Sequence, residues 1–310
     1  MREKVGTNVK QPRIIQSISG NVITVDVPLT DSIDSAYDME GQVVAYTAPA
    51  EASTEIGLEN LSISLEPTCS GVILSDTDCS SVGIIFNSYT TDSWVRNVDM
   101  LGFNQFVLVA DMAMRITVEN VTMHRTGDTD GGAGSPVDIT IDGTQVLATG
   151  CSTHGAINAS SFSVVTGPLV PGPNAVVNHF TEQSSQQIQP HERWASGFLV
   201  DSTNAEFSLI NRGILGRGHG WAINAGMYAL FNEPIPLVAS ADALPEGVGW
   251  NVVSVNLQIQ SPPTGENYCI GCIGTLVDKP GAPNNGTFIA FNEAVNPPSL
   301  FTAQLAARGV

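Results

Sequence analysis

Apolar residues along the chain fall in short runs broken by Gly, Asn, Asp, Ser and Pro. The runs are Asn21–Val27, Gln42–Ala48, Leu58–Leu65, Val82–Phe86, Gln105–Ala110, Arg115–Val121, Val137–Ile141, Phe162–Val165, Ala175–Phe180, Phe198–Val200, Phe207–Ile210, Trp221–Ile223, Met227–Phe231, Asn251–Gln260 and Phe288–Phe291. They are rich in Val, Ile, Thr and Phe, which suits half-buried pleated backbone. No segment carries a capped 3.6-residue period, except that Leu300–Ala307 reads as a short helix. The pattern predicts an all-β chain. Several runs recur at a regular interval: Ile84 to Leu108 is 24 residues, Val118 to Ile141 is 23, and Ile141 to Val164 is 23. That interval matches one turn of a solenoid, whose inward side chains must stack on those of the neighbouring turns. Many runs end in Asn or Asp, as in Asn87, Asn120, Asp201, Asn211, Asn224 and Asn232. Stacked Asx residues satisfy backbone groups at the corners of such a coil. A single-stranded parallel β-helix over residues 1–310 is the expected architecture, with a β-sandwich as the competitor. The first strand region, Gly20–Leu29, reads as the edge of something missing upstream.

Composition narrows the partners. The net charge is −18 and only 12 residues are Lys or Arg. No basic stripe exists for nucleic acid, no basic cluster for an anionic membrane, and no apolar run long enough to span one. An anionic polymer would have to be held by local Arg and His against the protein's own field. The polar start, MREKVGTNVKQPR, is not a signal peptide. Four Asn-x-Ser/Thr sequons, at Asn60, Asn120, Asn158 and Asn285, nonetheless argue for secretion. Nothing signals an oligomeric state.

Five cysteines are present. Cys69 and Cys79 flank a short polar loop and are a candidate pair. Cys269 and Cys272 form a lone CxxC, without the second pair or spaced His that zinc requires, so packing or a local disulfide is expected. Cys151 is expected to be buried.

Two stretches concentrate chemistry. Gln189–Asp201 (QPHERWASGFLVD) holds His191, Arg193 and Trp194. Asn211–Asn224 (NRGILGRGHGWAIN) holds Arg212, Arg217, His219 and Trp221. They lie about one coil apart, so they are expected side by side. A carbohydrate site explains the combination: Trp stacks on sugar faces, Arg binds carboxylates bidentately, and His moves protons near neutral pH. Structural bracing of a loop is the bland alternative. The candidate catalytic residues are therefore His191, Arg193, His219, Arg212 and Arg217. The candidate substrate contacts are Trp194, Trp221, Asn211 and Asn224. Glu192 is expected at the surface. Trp94 with Arg96, and His124 with Arg125, read as braces between neighbouring coils; Trp250 and Tyr268 read as packing.

The strings DSWVRN (Asp92–Asn97), GPN (Gly172–Asn174), PHERWASG (Pro190–Gly197), NRG (Asn211–Gly213), GHGWA (Gly218–Ala222) and NYCIGCIG (Asn267–Gly274) occur in that order. As a set, over roughly residues 15–275, they resemble a family of extracellular pectate-lyase-like β-helix proteins of bacteria and fungi. The resemblance implies a right-handed β-helix, an extracellular setting, further chain upstream of the first strand, and a role on polysaccharide. It departs at Asn158–Gly167 (NASSFSVVTG), where relatives carry His or Asp and this chain has neither; a catalytic group is lost or altered there, with His154 a few residues earlier.

β-Elimination on a uronate suits these residues. An Arg neutralises the carboxylate and a His takes the C5 proton. Calcium is an alternative neutraliser through oxygen ligands, with Asp128–Asp130 the one tempting loop and an Asx-rich turn the plainer reading of it. No metal ligands are assigned. Gly218–Gly220 also resembles the Gly-His-Gly of polygalacturonase-type hydrolases, but hydrolysis needs paired carboxylates that the motif lacks. Non-catalytic glycan binding is the third reading.

Overall fold

In the computed structural model, residues 9–31, 41–66, 81–126, 137–155, 162–182, 186–223, 247–263, 265–277 and 283–309 are described. The expected strand Met227–Phe231, the Cys69/Cys79 pair, the Asp128–Asp130 loop, Asn158 and Asn224 lie outside the described residues.

The chain opens with a hairpin, β1 (Ile15–Ser19) and β2 (Val22–Val25), antiparallel about Gly20. There follow β3 (Gly57–Ser64), β4 (Val82–Phe86), β5 (Thr91–Leu101), β6 (Gln105–Val109), β7 (Met114–His124), β8 (Val137–Ile141) and β9 (Thr144–Thr149). Next come β10 (Ser152–His154), β11 (Phe162–Thr166), β12 (Asn174–Val177), β13 (Phe180–Thr181), β14 (Gln187–Pro190), β15 (Phe198–Asp201), β16 (Glu206–Leu209) and a one-turn helix α1 (Leu215–Gly218). The last elements are β17 (Val248–Trp250), β18 (Val253–Ile259), β19 (Tyr268–Ile270), β20 (Ile273–Leu276), β21 (Thr287–Ile289) and the helix α2 (Leu300–Ala307).

After the hairpin the fold is β with parallel sheets. An eight-stranded sheet runs in the order β20-β18-β16-β14-β11-β8-β6-β4. An eleven-stranded sheet takes β3, β5, β7, β9, β12, β15, β17, β19 and β21, with β10 beside β7 and β13 beside β10. The chain passes back and forth between the two sheets, and each strand pairs with its counterpart in the next pass. Inward residues therefore stack in columns. One column is Ile84, Val107, Ile139, Val164, Ile188, Phe207 and Leu257. The facing column is Val95, Val118, Ala148, Val176 and Val200. Nearly all of these are buried and they form one core; each buried Val, Ile or Phe stabilises by about 1.5–3 kcal/mol. At Gly249 a Cβ would stand 2.5 Å from the Phe207 ring, so only glycine lets that large side chain fill the core.

A left-handed corner column exists, but of the expected corner residues Asn120 alone, among those described, stands in it; Asn87 and Asn211 lie elsewhere and Asp201 precedes the Ser202 position. Asn60, Asn97, Asn120, Asn178, Ser202, Asn251 and Ala290, together with Gly150 and Gly271, all take positive φ at equivalent places in successive passes. Asn and Gly tolerate this left-handed conformation best. Asn97 Nδ2 donates to Asn60 Oδ1 (3.1 Å), and Asn120 Nδ2 to Asn97 Oδ1 (2.7 Å). The column breaks β5 and β7 into two extended arms.

Four expectations are corrected. Gln42–Ala48 forms no strand; with no neighbour to pair against, Val43 and Val44 are 73% and 71% exposed. Trp221–Ile223 makes two isolated bridges, to Asn211 and Ala195, rather than a strand. The 23-residue interval from Val118 to Ile141 is not one pass, because β7 pairs with β9 while β8 pairs with β6 and β11. The 24-residue interval is off by one, since Ile84 pairs with Val107 and Ile85 with Leu108.

Both ends of the described chain strap onto the passes. Arg13 Nη2 donates to Gly172 O (2.8 Å), and the Thr30 hydroxyl lies 3.0 Å from Ser196 Oγ. At the other end Asp201 Oδ2 accepts from Ser299 Oγ and Phe301 N, both at 2.8 Å, which holds the first turn of α2. The tail helix matches Leu300–Ala307 and is N-capped by Ser299. Cys269 and Cys272 are joined by a disulfide, and Cys151 is buried and free. Trp250 is packed, its indole donating to Pro297 O.

Candidate functional site

The two chemistry-rich stretches meet. His191 follows β14, and its N–H donates to Thr166 O (3.2 Å). The next residues ladder onto the second stretch: Arg193 N to His219 O (3.1 Å), Trp194 N to Trp221 O (2.8 Å), Ala195 N to Ala222 O (3.1 Å). Residues 212–220 fold back on themselves, with Arg212 N donating to Gly220 O (2.7 Å) and Gly220 N to Gly213 O (2.9 Å). This loop returns His219 to the side of Arg212 and lays both against His191.

The His191 and His219 rings meet edge to face, centroids 5.0 Å apart, and Phe162 stacks on His191 at 5.4 Å. Arg212 Nη1 donates to the His191 carbonyl (2.9 Å), and Arg193 Nε to Gly218 O (3.4 Å). His219 Nε2 lies 3.2 Å from Glu192 Oε2. His219 is buried and its Nδ1 has no hydrogen-bond partner among the described residues. His191 is half-buried.

Burial, then Arg212 and His219, push His191 down to about 4, against the pull of Glu192. Burial, then Arg212, also lowers His219, which Glu192 opposes. Burial lowers Arg212 as well. Both imidazoles are therefore neutral at pH 7. Arg193 and Trp194 both take positive φ, 50° and 61°. Two adjacent bulky residues in that region cost about 1–2 kcal/mol each, and such strain gathers at functional sites.

The structure thus brings together His191, Arg193, Arg212 and His219. Trp194 and Trp221 are half-buried beside them and linked through backbone. Asn211 is exposed and its Oδ1 accepts from Gly213 N (2.8 Å), shaping the loop. Arg217 falls in α1, but its side chain, like Asn224, lies outside the described residues. Glu192 is not a free surface acid: its side chain is only 17% exposed and is paired with His219. Its place between His191 and Arg193 was the available signal. Among the described residues no three of His, Cys, Asp and Glu gather as metal ligands.

The other singled-out residues serve the scaffold. Arg96 pairs with Glu59 and Glu119, both 3.3 Å, and the Trp94 indole donates to Glu59. Arg125 forms a buried ion pair with Asp138, which also accepts from Thr153 Oγ1 (2.8 Å) and Gln186 Nε2 (3.1 Å). Ser163 Oγ, beside Thr153, lies 2.6 Å from His179 Nε2. An open groove of about 710 Å³, lined by none of His191, Arg193, Arg212 and His219, lies between the Asn178–Phe180 and Ser202–Asn204 stretches and the tail at 294–298.

No family model, curated protein or solved structure matches the chain.

Proposed function

We propose that the chain is a right-handed parallel β-helix of the pectate-lyase-like kind, secreted, and a lyase on a uronate-containing polysaccharide. The alternation between parallel sheets and the left-handed corner column support the β-helix reading. One observation carries the activity: the Arg212 guanidinium donates to the backbone carbonyl of His191, whose half-buried imidazole is kept neutral by burial and by the Arg212 charge.

Elimination needs that pairing. Arg212, with Arg193 beside it, takes the substrate carboxylate and makes the C5 hydrogen acidic. The carboxylate also cancels the guanidinium charge that depresses His191, so binding raises the base's proton affinity. His191 takes the C5 proton, the C4–O bond breaks, a C4=C5 double bond forms, and the leaving oxygen gains a proton from water. Trp194 and Trp221 flank the sugar. Glu192 is the one carboxylate close to His219 among the described residues, so a polygalacturonase-type acid pair has less support.

Incubation with pectate, alginate, glucuronans and glycosaminoglycans tests this. Ultraviolet-absorbing unsaturated ends support elimination; new reducing ends without that absorbance indicate hydrolysis. A second reading is glycan binding without turnover. It is favoured by the open groove, where Phe180 is 42% exposed between the exposed Asn178 and Asn204; binding with neither product would select it.

A further inference from the structure

We propose that Glu192 is a positioning residue that fixes the tautomer and orientation of His219, and through His219 holds His191 in place. The catalytic consequence rests on the reading of His191 as the base; the tautomer does not.

Nothing else within the described residues bonds the His219 ring: Nε2 faces Glu192 Oε2 at 3.2 Å, and Nδ1 is sealed from solvent without a partner. A carboxylate accepts and does not donate, so the Nε2 beside it carries the hydrogen. With the ring neutral, Nδ1 is then a bare lone pair. An imidazole free to flip would also be free to turn its edge away from His191, whose ring it meets at 80°. Glu192 is adjacent in sequence to His191, so one carboxylate ties the second stretch to the residue beside the base. The backbone reinforces the tie, since Arg193 N donates to His219 O. The charged groups facing His219 are Glu192, Arg212 and Arg193, with His191 the facing titratable ring. Only Glu192 favours its protonation, so removing that charge moves its titration to lower pH.

Long-range proton–nitrogen correlation spectra on wild type, Glu192→Gln and Glu192→Asp, assigned with His219→Gln, test this without any substrate. The expected wild-type signature is a neutral His219 protonated on Nε2, titrating at lower pH in Glu192→Gln and near the wild-type position in Glu192→Asp. An Nδ1-protonated ring, or a titration unmoved in Glu192→Gln, overturns the proposal. Where turnover is found, Glu192→Gln should lower kcat by up to about a hundredfold with KM within about twofold, and Glu192→Asp should restore part of it. An Nε2 tautomer with an unmoved kcat overturns the positioning role; absence of turnover in wild type bears on the lyase reading instead.

Discussion

His191 and His219 meet edge to face at 5.0 Å although β15 and β16 separate them in the chain. Parallel stacking of successive passes brings them together, and the fold-back of residues 212–220 completes the approach. The same stacking governs stability, and each consequence below can be measured.

The Asn97 corner is expected to resist substitution. Asn97 has φ 53° and exchanges amide hydrogen bonds with both Asn60 and Asn120. Asn97→Ala loses two neutral hydrogen bonds and keeps a Cβ in the left-handed region without the polar side chain that offsets it, for about 1–3 kcal/mol in all. Asn97→Gly keeps the backbone and should cost less. Urea unfolding of the two variants checks the order.

Legibility follows locality. Most strand runs, the tail helix and the His/Arg stretches could be read because each is a contiguous pattern. The corner column was legible at Asn120 alone: Asn60, Asn97, Asn178 and Asn251 do not end apolar runs, and Gly150, Ser202, Gly271 and Ala290 are not Asx. The pass length was misread because passes differ in length; Val95 to Val118 and Val118 to Ala148 are both single steps. Glu192 was misread because adjacent residues in irregular backbone do not announce which way they face.

The buried Arg125–Asp138 pair makes a second prediction. Burial pushes the Asp138 carboxyl up, and Arg125 and Thr153 offset part of this. Arg125→Met leaves that group without its cation and should cost about 3–5 kcal/mol, while a joint replacement with Asp138→Leu should recover much of the loss. Denaturant midpoints of the single and double variants decide it.

Acid should weaken the fold in a defined window. Burial lowers His179 from 6.5 to about 4. Above pH 6.5 neither folded nor unfolded His179 binds a proton, and stability is full. As pH falls from 6.5 towards 4 the unfolded chain takes up the proton first, and stability drops by up to about 3 kcal/mol; below 4 the folded form protonates too and this contribution levels off. His191 acts in the same direction over the same window. Thermal unfolding between pH 7 and 4 in wild type and His179→Gln tests this: the variant should show a shallower fall.

The C-terminal strap should depend on Asp201. This buried carboxylate accepts from Ser299 Oγ, Phe301 N and Ser202 Oγ. Asp201→Ala removes the anchor of α2 and is expected to speed amide exchange across Leu300–Ala307, leaving the core strands protected. Uniform loss of protection would mean that the strap holds the whole stack.

The most direct test of the central claim is formation of unsaturated uronate ends by wild type and His191→Ala, side by side, on the polysaccharide that gives the strongest wild-type signal. A wild-type signal that falls by about 10²–10⁴-fold in a folded His191→Ala is the expected result. Undiminished product from His191→Ala, or no unsaturated product from wild type on any uronate polymer, would contradict it.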